Sequence, residues 1–261
     1  MTAQNNDQKP DYLGHRARLK ERFLVDDGMS MPDYELLELL LMYAIPRRDV
    51  KPLAKKLIKN FGNIAHVLNA SNHDLVEKGE LSENVVALLK AVATCGLRIS
   101  SSYFAEGERR IFEVWGNFID YCRKRIGYKD TEEFWVFFLN GKMELLCEKQ
   151  ISGGTLNSTY APAQIIAKLA LENKAPYVIL AHNHPSGRCK PSEADRWTTD
   201  EIVQALETLD IEVYDHVIIS QYDDFSFRAA GLIEDRRVRE EKELLRREKE
   251  KKMQKKQKLL L

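Results

Sequence analysis

The hydrophobic pattern changes period once along the chain, and that change dictates two different kinds of layer. Up to about Leu97, apolar residues recur three and four apart, as in "YELLELLLMYAI" and "VKPLAKKLIKNFGNIAHVL". This spacing buries one face of a helix. Asp33, just after Pro32, can cap the first of these helices, and Gly62 can end the second. The stretch "RISSSYFAEGERRIF" loses the period and gathers Ser and Gly, which predicts a linker over residues 99–110. Beyond it "EEFWVFFLN" is aromatic and β-branched, Gly141 makes a turn, and "ELLCEKQIS" returns as the second strand of a hairpin. A helix over "PAQIIAKLALEN" with Pro162 in its first turn, a buried strand "YVILA", a helix over 193–209 and a strand "EVYDHVIIS" follow. The prediction is a helical bundle over residues 14–98, then an α/β or mixed α+β layer over 111–233.

With 261 residues and 44% apolar side chains, the chain can build one large or two small cores. Neither a run of eighteen apolar residues nor a signal-like N-terminus is present, so a cytoplasmic protein without membrane contact is expected. The cysteines at 95, 122, 147 and 189 are scattered, which argues against a disulfide framework and a cysteine-type zinc knuckle. Formal charge sums to zero, yet residues 234–261 hold twelve Lys or Arg against seven Asp or Glu. That segment cannot bury a core and is read as a helical or disordered tail, either merely solvated or a weak phosphate binder through counterion release. Residues 1–13 are expected to be a flexible N-terminus.

The densest chemistry lies in "LAHNHPSGRCKPSEAD", residues 180–195. On a strand, residues two apart share a face, so His182 and His184 point one way and Asn183 the other. Pro185, Ser186 and Gly187 force a turn, and Pro191-Ser192 opens a helix whose first turn returns Asp195 toward the strand end. Two imidazoles and one carboxylate leave a fourth tetrahedral position open, as catalytic zinc requires. Asp195 answers a second reading as well, because Ser192-x-x-Asp195 fits a capping box. A nucleobase deaminase is excluded, since His-x-Glu and Pro-Cys-x-x-Cys are both lacking and Cys189 stands alone. A homing-type nuclease is excluded too, because its His-Asn-His residues are dispersed over a hairpin and helix.

This motif resembles the JAMM motif of the MPN-domain metallopeptidases. In the form "HNHPSG…PSEAD", preceded by "GTLNS" and followed by "DHVIIS" and "SF", it is similar to the RadC family. The resemblance runs from Gly14 to Ile233, because "GHRARLKERF", "PDYELLELLL" and "IPRRDVKPLAKKL" also resemble that family's N-terminal part. It implies a helical, helix-hairpin-helix-like domain followed by a cytidine-deaminase-like three-layer JAMM/MPN domain over 111–233. It further implies zinc held by His182, His184 and Asp195, with Ser192 hydrogen-bonding the oxyanion of the intermediate.

The resemblance also implies a strand glutamate that takes a proton from the attacking water, and Glu148 is the candidate. Counted back from "GGT", however, the family position falls on Lys149, and a slip of one residue turns a side chain to the other sheet face unless a bulge corrects it. Glu148 is then either the catalytic base or an exposed strand carboxylate. Two more departures are Pro162-Ala163-Gln164, where the family has Pro-Arg-Glu, and "KGELSEN", where Glu80 follows Gly79 and would repel a phosphate. Two functions follow. One is a zinc-dependent hydrolase acting on an amide, peptide or isopeptide bond of an unknown peptide or protein conjugate. The other is a non-enzymatic, nucleic-acid-associated accessory protein with structural or vestigial zinc, whose weak contacts come from the helical domain or the basic tail.

Overall fold

Six helices form from the first apolar pattern: α1 (Asp11–Asp26), α2 (Asp33–Ala44), α3 (Lys51–Phe61), α4 (Ile64–Asn69), α5 (Asn72–Glu77) and α6 (Glu83–Ala105). The structure, a computed structural model, describes residues 11–105, 111–153 and 162–234, together with Val238 and Leu245. The first ten residues, the end of the expected linker, the "GTLNS" segment and nearly all of the expected tail therefore lie outside the described residues. Asp11–Leu13 already belong to α1, so that helix starts three residues before the predicted boundary.

The chain divides into two compact units, Met1–Ile99 and Ser100–Leu261. In the first, Leu37, Leu41, Leu57, Leu75 and Leu89 are completely buried and bring α2, α3, α5 and α6 onto one core. The turn after α2 is held by Arg16, whose guanidinium donates to the carbonyls of Ile45 at 2.9 Å and Arg48 at 2.6 Å. A cation here satisfies carbonyls that the helix end leaves without amide partners. Asp33 does not cap its own helix, whose N-cap Pro32 makes no side-chain bond. Its carboxylate instead accepts the Ile64 amide at 2.9 Å, at the start of α4. Gly62 does follow the last residue of α3.

The α5–α6 turn depends on Gly79. A Cβ there would lie 2.4 Å from the Leu75 carbonyl oxygen, a contact no side chain survives without backbone movement. Glu80 carries the left-handed backbone of the turn (φ 55°), and its carboxylate pairs with Lys56 at 2.8 Å. The serines after Ile99 do not break α6, because Ser100 is buried and its Oγ accepts from Lys124 at 2.6 Å. The helix thus runs into the stretch expected as linker, whose residues 106–110 lie outside those described. By length and composition alone, α6 could also cross a membrane.

The second unit contains α7 (Trp115–Cys122), β1 (Glu133–Leu139), β2 (Leu145–Gly153), α8 (Pro162–Glu172), β3 (Tyr177–Asn183), α9 (Glu193–Glu207), β4 (Glu212–Ile219) and β5 (Asp224–Ser226). Among the described residues the strands form one sheet in the order β2-β1-β3-β4-β5. Only β3 and β4 are parallel, with α9 between them in the chain. Phe134, Val136 and Phe138 of β1 share one core with Val178 and Leu180 of β3, Ile166 of α8 and Ile202 of α9. Phe137 points to the other face and meets Phe118 of α7 edge-on, ring centroids 4.9 Å apart. Each sheet face therefore has its own helical cover.

Substituting Gly79→Ala should lower the unfolding free energy of the helical unit by about 2–3 kcal/mol, because the new methyl group has no room. Urea unfolding followed by circular dichroism measures this, and an unchanged midpoint would mean that the turn is looser than described.

Candidate metal centre

Parallel pairing of β3 with β4 aligns His182 opposite Ile218 and Leu180 opposite His216. Both histidines look onto the face covered by α9, which begins three residues before Asp195 at its N-cap Ser192. His184 lies one residue past the strand. Its amide donates to the Ile219 carbonyl at 3.1 Å, which keeps the chain against β4 for one more step. The return is made at Gly187, which takes a left-handed conformation (φ 80°) and donates its amide to His184 O.

These constraints bring three donors together. The Nε2 atoms of His182 and His184 are 3.0 Å apart. Asp195 Oδ1 lies 3.3 Å from the first and Oδ2 3.4 Å from the second. A four-coordinate ion with bonds of about 2.0–2.1 Å keeps neighbouring ligand atoms about 3.3–3.4 Å apart. With one donor atom taken from each residue, the three lie within 4.8 Å of one another and form a cluster able to coordinate a metal ion. Among the described residues it is the one group of three His, Cys, Asp or Glu so disposed. His182 is buried whereas His184 and Asp195 are half-buried, so an ion would keep a side toward solvent.

The second nitrogens are also engaged. His184 Nδ1 lies 2.7 Å from the Arg188 carbonyl, and His182 Nδ1 lies 2.7 Å from His216 Nε2. His216 in turn meets Thr199 Oγ1 through Nδ1 at 2.6 Å and stacks on Phe227, ring centroids 4.7 Å apart. Burial, then the neighbouring His182, pushes the His216 imidazolium well below its ordinary range. Neither His216 nor Thr199 was found by sequence reasoning. His216 stands inside β4 two residues before the core residue Ile218, and that even spacing is the signal the sequence carries for it.

Asp195 satisfies both of its sequence readings at once. Its Oδ2 accepts from the Ser192 amide and from Ser192 Oγ, each at 2.7 Å, while Ser192 Oγ accepts the Asp195 amide at 3.1 Å. This is a complete capping box on α9. Half-burial opposes the charge of Asp195, but hydrogen bonds from His182 and Ser192 hold its carboxyl well below the usual carboxylate range. The Ser192 hydroxyl proton is thereby directed at Asp195.

Glu148 is not brought to this cluster. On β2 it pairs with Phe137, and although a bulge at Ile151 separates it from the "GGT" segment, that bulge does not bring it to the histidine face. It therefore shares Phe137's face, the α7 side, where Tyr121 Oη donates to its carboxylate at 2.7 Å. Arg125 approaches the same group at 3.6 Å and stacks over Trp135. Burial, then the Glu148 carboxylate, drives the Tyr121 phenol far above its ordinary value, so it stays a donor. Lys149, the next residue, pairs with Val136 and lies on the histidine face. The alternating pleat is the physical reason that Glu148 is misplaced for work on a water at the cluster.

A family model described as a RadC-like JAB domain matches residues 112–232. A UPF0758 protein of Rhodobacter capsulatus is 41% identical over 215 residues, covering 82% of this chain and all of the relative. A UPF0758 protein of Ruegeria pomeroyi is 38% identical over 225 residues, covering 86% of this chain and all of that relative.

Tyr121→Phe should destabilise the protein by about 1–3 kcal/mol, because a partly buried carboxylate loses its hydroxyl donor. Glu148→Ala should leave metal affinity within about twofold of the parent, since its carboxylate sits behind the sheet. Urea titration and chelator competition read the two effects separately, and a large loss of metal affinity in Glu148→Ala would contradict the placement.

Proposed function

The chain belongs to the RadC family, and on that premise we propose that it is a zinc-dependent hydrolase of the JAMM type, cleaving an amide, peptide or isopeptide bond in a peptide or protein conjugate. The observation that carries this reading is the convergence of His182 Nε2, His184 Nε2 and Asp195 within ligand spacing. Two imidazoles and one carboxylate suit zinc better than calcium or magnesium, which favour oxygen-only shells. When bound, zinc would supply Lewis-acid polarisation of the scissile carbonyl. His182, His184 and Asp195 would hold it, leaving a solvent-side position for the substrate.

Ser192 has two uses in this reading. At rest its hydroxyl donates to Asp195 Oδ2 and fixes the ligand. With substrate in place the same proton can turn to the developing oxyanion, as expected of a preorganised donor. Glu148 takes no part in this scheme. We also read the sheet and the helices on its two faces as the cytidine-deaminase-like three-layer fold. The four unpaired cysteines support a cytoplasmic protein.

A second reading, a zinc-holding accessory protein that contacts nucleic acid, is favoured by the turning of Glu148 to the α7 side. In that reading the α5–α6 turn and the basic tail face the phosphates, and the Lys56–Glu80 pair weakens the first of these contacts by consuming a cation.

Purified protein should carry about one zinc per chain, lost in His182→Ala with His184→Ala. It should also cleave members of a fluorogenic peptide and isopeptide panel in a chelator-sensitive way. Elemental analysis and the panel decide the matter. A zinc-loaded protein without chelator-sensitive turnover would shift the assignment to the accessory reading. For that reading, Glu80→Gly should increase retention on a DNA column at low salt, with the gain disappearing as salt rises, and no change on substitution would count against it.

A further inference from the structure

His216 touches the cluster without contributing to it. Its ring is buried, stacked on Phe227, and bonded at one nitrogen to His182 and at the other to Thr199. Hydrogen-bond direction along this chain can be assigned from its far end. The backbone carbonyl of Asp195 can only accept, and Thr199 Oγ1 lies 2.5 Å from it, so the single hydroxyl proton of Thr199 points there. Thr199 Oγ1 must then accept from His216, which places that ring's proton on Nδ1. A ring this deeply buried and stacked on Phe227 is a poor place for a charge, and a neutral imidazole carries one N–H, so His216 Nε2 accepts and the donor is Nδ1–H of His182. The remaining nitrogen of His182, Nε2, is thereby the one presented to His184 and Asp195.

His184 reaches the same state by a shorter route, with Nδ1–H donating to the Arg188 carbonyl. Metal-ligating histidines commonly donate their second N–H to a carboxylate, a backbone carbonyl or water. An imidazole acceptor is different, because it can serve only if its own proton is committed elsewhere. Thr199 provides that commitment, and it lies one turn beyond Asp195 on α9. The chain therefore joins a ligand on β3 to the helix that carries the ligand Asp195.

We propose that His216 and Thr199 are positioning residues that lock His182 as its Nδ1–H tautomer, present its Nε2 to the metal, and couple the β3 ligand to the helix bearing Asp195. The proposal rests on the zinc reading for its consequence, but the tautomers exist in the metal-free protein and can be read there.

Long-range proton–nitrogen correlation spectra of imidazole-labelled, metal-free protein at neutral to mildly alkaline pH test the assignment. His182 and His184 should each carry a proton at Nδ1, and His216 should be protonated at Nδ1 alone. His216 protonated at Nε2, or carrying a charge, would overturn the proposal. Zinc affinity measured by chelator competition tests the consequence. Thr199→Val keeps the side-chain shape and removes the hydroxyl, so it should weaken zinc binding about tenfold and give His182 a mixture of tautomers. Thr199→Ser should restore both to near the parent. Thr199→Val with parental affinity and an unchanged His182 spectrum would refute the positioning role. His216→Gln provides a second variant, expected to lose zinc affinity by about tenfold or more. A parent protein that takes up no zinc at all would remove the zinc reading, while the tautomers of its metal-free form would still decide the order of protons proposed here.

Discussion

The parallel pairing of β3 with β4 is the constraint on which the site depends. Parallel strands cannot be joined by a tight turn, so the chain must leave β3, cross the sheet face as α9 and return. The helix start is then held over the strand's end, and a carboxylate in its first turn falls beside two imidazoles. The same pairing sets His216 of β4 diagonally beside His182 of β3. Ligand, supporting ring and returning carboxylate are thus consequences of one crossover, and they stand at the carboxyl end of β3, where open sheets of this kind usually place their ligands.

Local patterning carried much of this into the sequence. The two-residue spacing of His182 and His184 and the turn chemistry of Pro185-Ser186-Gly187 were readable because each acts over a few residues. Register was less readable. Whether Glu148 lies on one face or the other depends on where bulges fall in the β1–β2 ladder, a matter settled by distant packing rather than by letters. Asp33 resembles a helix cap in every local respect, yet its carboxylate serves the amide of Ile64, thirty-one residues away. The partnership of Thr199 with His216 is of the same long-range kind.

In the helical unit, the shape of the α5–α6 turn and its surface charge are set by different residues. Gly79 preserves the close approach to Leu75, so the turn forms. Glu80 nevertheless takes the left-handed position and spends its charge on Lys56. Steric demand and electrostatic character are set by adjacent residues here. Arg16, by contrast, directs its charge inward to the carbonyls after α2. Basic residues in this unit are therefore not interchangeable contributors to an external field.

The double service of Asp195 has a consequence for ion exchange. Its Oδ2 is anchored by the amide and hydroxyl of Ser192, and those bonds belong to the folded helix rather than to any captured cation. The carboxylate's rotamer entropy is surrendered when α9 docks, before an ion arrives. Capture then requires little reorganisation, and release leaves no frayed helix behind, so the vacant and loaded forms should interconvert without passing through a partly unravelled state.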